Sequence, residues 1–172
     1  MSPVQPLLRI PVGVVVERRR AKSQWVDFVW RPVAVLEDVP ETAPWTKLEG
    51  GDELSTFYAG SAEIELYPSE TPNYRDNLAT GTPQLWVILG ATDAEPPYSL
   101  HMVTADPTEG EGLTQSGYDI VDVVRMPDRI MDTIAAFVAE HHVERVFFKR
   151  KRDRVSPEAL AQRGVIKKEK GG

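Results

Sequence analysis

The adjacent imidazoles His141-His142, with His101 the third in the chain, are the first residues to weigh for metal chemistry. Helical neighbours point about 100° apart, so the pair cannot close on one ion as histidines at i, i+4 do. Structural roles are expected instead, His141 completing an apolar stripe near the negative end of a helix and His142 more exposed. The pairs Glu63/Glu65 and Glu109/Glu111 carry the groups for acid–base work. With 26 Asp and Glu in 172 residues, however, such pairs arise by chance, and solvated faces are expected. Gly110-Glu111-Gly112 continues as Leu113-Thr114-Gln115, without the Gly-Lys-Ser/Thr of a phosphate loop, and no Gly-x-Ser-x-Gly elbow occurs. The lack of cysteine excludes disulfides, thiolate zinc and thiol nucleophiles. No catalytic residue, metal ligand or cofactor is assigned.

Charge says more. Residues 1–144 hold ten Lys/Arg against 23 Asp/Glu, a net of −13, whereas residues 145–172 hold ten against three, a net of +7. The positive end centres on Lys149-Arg150-Lys151-Arg152-Asp153-Arg154, a strong local potential suited to acidic protein surface or phosphate. The acidic remainder argues against nucleic acid. A second basic cluster, Arg18-Arg19-Arg20, precedes a polar turn. Trp45 stands in an acidic, Pro-flanked loop, where an aromatic either pins the loop to the body or anchors a partner. The residues assigned to partner binding are therefore Arg18, Arg19, Arg20, Trp45, Lys149, Arg150, Lys151, Arg152 and Arg154.

Hydrophobic spacing supplies the elements that must position them. Ile10, Val12, Val14 and Val16 alternate within residues 7–20, and Val26, Phe28, Trp30, Ala34 and Leu36 within 25–36, which predicts a hairpin joined at Ala21-Lys22-Ser23. Pro32 puts the second strand at an edge or beside a bulge. Residues 37–52 read as loop. Strands over 54–59 and 62–67 with a Gly60-Ser61 turn predict a second hairpin. Residues 68–83 read as irregular. The apolar run Leu85-Trp86-Val87-Ile88-Leu89 predicts a central strand, paired with 98–104 as a third hairpin. A poor helix over 107–117, weakened by Gly110 and Gly112, precedes a strand over 118–125. Ile130, Ile134, Phe137, Val138 and His141 then mark the clearest helix, opened by Pro127. A short strand over 143–148, a short helix over 156–162 and a disordered end from Lys167 are expected beyond it.

These features predict an α+β fold: a mainly antiparallel sheet of hairpins, one long C-terminal helix packed on it, and an extended basic C-terminal arm. The domain is expected over 7–148 and the arm over 149–172. No stretch of about 18 apolar residues and no signal-peptide pattern occurs, so a cytoplasmic location is expected.

Three stretches carry a resemblance: Val12-Gly13-Val14-Val15-Val16-Glu17-Arg18-Arg19 with Trp25, then Trp30-Arg31-Pro32-Val33, then residues 137–143 followed by Phe148-Lys149-Arg150-Lys151-Arg152. Over roughly residues 8–160 the chain resembles a bacterial family of unknown function encoded beside formate dehydrogenase genes. Its members are sometimes labelled molybdopterin-guanine dinucleotide biosynthesis proteins. The resemblance implies an accessory or maturation factor, or a small subunit, docking to a molybdenum or tungsten formate dehydrogenase or its assembly machinery, and brings no catalytic residue. The alternatives are a binder of an anionic pterin or nucleotide cofactor, and a homo-oligomeric structural protein.

Overall fold

Thirteen residues from Leu8 to Arg20 form β1, the strand around which the fold is organised. In a computed structural model that describes residues 4–114 and 119–143, β1 runs antiparallel to β2 (Phe28–Leu36) on one side and β4 (Leu54–Leu66) on the other. A short β3 (Thr46–Gly50) follows on the far edge of β4, giving the order β2-β1-β4-β3. The register slips between Val15 and Val16, leaving Val33 without a partner, and Pro32 sits opposite Val16 at this bulge on the edge strand. That is where a residue without an N–H does least harm.

The second sheet has the order β6-β5-β7, with β5 (Gln84–Ala91) between β6 (Tyr98–Thr104) and β7 (Ile120–Arg125), all antiparallel. Leu85 to Leu89 are buried on both faces of β5, as the continuous apolar run requires. Along the borders β4 lies beside β6 and β2 beside β7. Neither border carries a ladder among the described residues. The two sheets enclose one interior, filled by Val12, Val14, Val16, Ile64, Leu66, Leu85, Val87 and Leu89.

Among the described residues the fold is thus mixed α+β with two antiparallel sheets and three helices, where one sheet and one dominant helix were expected. The helices are α1 (Thr71–Ala79), α2 (Pro107–Leu113) and α3 (Asp128–His141). From α3, Ile130, Ile134, Phe137 and Val138 enter the core, and from α1, Tyr74. Residues 68–83, read as irregular, hold α1 and a 3-10 turn at Pro68–Glu70. Helix α1 owes its place to tertiary bonds. Asn77, 3% exposed, donates to the Gln84 and Ala105 carbonyls and accepts the Gln84 N–H, so its side chain extends the ladder at the start of β5.

Residues 54–66 form one strand rather than a hairpin. Gly60 has φ +130° and stands where the register with β1 skips Ala59, so the glycine bends a continuous strand instead of reversing it. Residues 37–52 contain β3, and Trp25 and Val26 lie outside β2, in the exposed tip. The expected C-terminal strand, the short helix, the disordered end and the basic arm lie outside the described residues. Met1–His142 form one compact unit; the second, Val143–Gly172, is described at Val143 alone.

Candidate functional site

Two surfaces gather functional side chains. The first is the hairpin end of the four-stranded sheet. The alternation of β1 sends Val12, Val14, Val16 and then Arg18 to the interior face, so the core gives way at its end to a cation. Arg18 lies opposite Trp30 on β2 and Ser55 on β4. Its guanidinium carbon is 4.2 Å from the Phe28 ring centre, 5.2 Å from Phe57 and 5.8 Å from Trp30. Such contacts are worth about 0.5–1 kcal/mol each when exposed and about 2 when desolvated. Trp30 continues the cluster, with Trp45 edge-on at 5.8 Å and Tyr98 at 6.2 Å. Trp45 is half-buried at φ 66°, its N–H donating to the Tyr58 carbonyl. It fastens the loop entering β3 against Trp30.

Arg18, Arg19 and Arg20 therefore do different things. Arg19 points away from the interior to Glu17 (3.2 Å), which also meets Arg31 at 3.5 Å. Arg20 reaches Glu53 at 3.4 Å and lies 5.2 Å from the Phe28 ring centre. Arg18 is half-buried, makes no ion pair among the described residues, and has an Nε–H that is buried without an acceptor. Beyond them the tip presents Trp25 at 84% exposure, with Val26, Lys22 and Val29 also exposed. The structure brings Arg18, Arg19, Arg20 and Trp45 to one end of one sheet. Lys149, Arg150, Lys151, Arg152 and Arg154 lie outside the described residues.

The second surface is a polar groove of about 310 Å³ along the border of β4 and β6, lined by Glu63, Glu65, Tyr67, His101, Thr104 and Glu109 among others. Its groups are tied to one another. Arg9 lies 3.7 Å from both Glu63 and Glu65, Tyr67 donates to Glu65 (2.8 Å), and Thr104 donates to Glu109 (2.7 Å). The hydrogen bond to Glu65 raises the Tyr67 pKa, helped by burial and the Glu65 charge. The groove unites Glu63 and Glu65 with Glu109, a grouping their separation in sequence hides. Among the described residues no group of three His, Asp or Glu is placed to hold a metal ion.

The two histidines do structural work. The His141 ring lies 4.6 Å from that of Phe137, tilted by 48°. His142, half-buried as His141 is, joins α3 to α1. Its Nε2 lies 2.9 Å from Arg75 Nη1 and its Nδ1 3.1 Å from Thr71 Oγ1, which donates to the Pro68 carbonyl. Because the guanidinium can only donate, Nε2 accepts and Nδ1 carries the proton toward Thr71.

No helix among the described residues is long and apolar enough to cross a membrane. No curated protein and no solved structure matches the chain. The motifs that build the hairpin end, from β1 onward, lie within the span of one family model matching residues 11–152, and the chain belongs to that family, DUF3305, proteins of unknown function.

Proposed function

We propose that this protein is a non-catalytic accessory factor that docks to another protein through the hairpin end of its four-stranded sheet. The resemblance described above makes a molybdenum or tungsten formate dehydrogenase, or its assembly machinery, the partner to test first. The observation that carries the reading is Trp25, 84% exposed on a tip that also holds Arg19, Arg20 and Lys22. Trp and Arg dominate the energetics of protein interfaces, and a single-file aromatic on a turn is the geometry of an anchor. Removing so exposed a side chain changes folding stability by no more than about 0.5 kcal/mol.

Affinity capture with the full chain from a native host tests the proposal. Enrichment of a formate dehydrogenase component or of one of its accessory proteins is expected, weakened at least tenfold by Trp25→Ser in a protein of unchanged melting temperature. Capture of neither component, or capture indifferent to Trp25→Ser, overturns it.

A further inference from the structure

Each described arginine other than Arg18 has a polar group in reach: Arg9 has Glu63 and Glu65, Arg19 and Arg31 have Glu17, Arg20 has Glu53, Arg75 has His142, Arg125 has Asp128, and Arg129 has Glu37 and Asp38. Among the described residues Arg18 meets aromatic rings and nothing else, although it is half-buried in a chain of net charge −6. A guanidinium set among Phe28, Phe57 and Trp30, with a buried Nε–H left unbonded, is preorganised for an acceptor that the described residues do not provide.

We propose that Arg18 is the seat for one carboxylate of the docking partner, an Asp or Glu side chain flanked by apolar residues that lie against Trp25 and Val26. The proposal rests on the docking reading above and gives the partner's chemistry. The planar fork of a guanidinium matches a carboxylate in two-point geometry. Nucleic acid fits worse, because residues 1–144 carry −13, so a chain of phosphates meets repulsion that a single carboxylate among apolar side chains avoids.

A random nonapeptide phage library panned on the full chain tests this without an identified partner. Enriched peptides are expected to share one Asp or Glu beside aromatic or aliphatic residues. Changing that residue to Asn or Gln should weaken binding to the wild-type protein at least tenfold. Arg18→Met should cause the same loss of binding while still unfolding cooperatively, with the ring contacts it gives up lowering the melting temperature rather than accounting for the lost peptide. Enrichment of peptides without a shared carboxylate, equal binding of the acid and amide forms, tighter binding of oligo-dT, or no enrichment overturns the proposal. The comparison of acid and amide peptides holds even if Arg18→Met folds poorly. Panning uses the protein alone, so it can fail while capture of a formate dehydrogenase component succeeds, and the reverse.

Discussion

Burial of the Tyr74 hydroxyl, which accepts the Tyr67 N–H at 2.9 Å, pushes its pKa from 10.0 up to about 12. The unfolded chain releases this proton near pH 10 and the folded one keeps it to about pH 12, so above pH 10 the unfolded state binds fewer protons. The contribution is therefore fully present below pH 10 and is lost as pH rises toward 12, at roughly 1.4 kcal/mol per pH unit. Urea midpoints measured from pH 9 to 12 should show this fall. Tyr74→Phe should flatten it while costing about 1–3 kcal/mol at neutral pH, because the Tyr67 N–H loses its acceptor. Tyr67, raised in the same direction by its bond to Glu65, supplies the shallower remainder. At this scale the sequence showed residue types but not their pairing. Arg18, Arg19 and Arg20 read as one basic cluster, and only the alternation of β1 and the identity of its neighbours separate the ring-clamped Arg18 from Arg19 and Arg20, which meet carboxylates.

Helix α2 shows how an element can look poor and be well suited. Gly110 and Gly112 lower helix propensity in the same way, but a Cβ at Gly110 would come 2.2 Å from Cγ of the buried Trp86, whereas one at Gly112 would meet nothing within 4 Å. Gly110→Ala should therefore destabilise by about 1–3 kcal/mol through overpacking, and Gly112→Ala should stabilise by roughly 0.5–1 kcal/mol. Thermal melts of the two variants should move in opposite directions, with Trp86 fluorescence perturbed in the first alone. Elements with a strong period were legible: β1, β2, β5 and the apolar stripe of α3. Those made by context were not. Thr-Pro-Asn-Tyr-Arg-Asp-Asn at the start of α1 has no apolar stripe, and the side-chain ladder of Asn77 that holds the helix has no sequence signature. Gly60-Ser61 carries the composition of a turn, and only the continuous pairing of residues 54–66 with β1 shows that it is a bulge.

Across the whole molecule, distant segments complete one another. The first N–H groups of α3 have no cap from the residue before the helix; instead Glu37, just after β2, accepts the Arg129 N–H at 2.6 Å, and the Arg129 side chain reaches Glu37 (3.4 Å) and Asp38 (3.1 Å). The hydrogen bond to Asp38 and the two carboxylate charges raise the Arg129 pKa. Glu37→Ala should cost about 1 kcal/mol, most of it from the lost cap, and Glu37→Gln less, as denaturant unfolding would show. The sequence marks this end by Pro127 and has no means of finding a cap 92 residues away. The borders between the sheets have a further consequence. Every ladder of the first sheet closes within residues 8–66, and every ladder of the second lies within 84–125. During synthesis the first sheet can therefore be complete while its partner is still being translated. Until then the side of Val12, Val14, Val16 and Ile64 is an uncovered apolar face on the ribosome, the surface on which a holdase chaperone would first meet this chain.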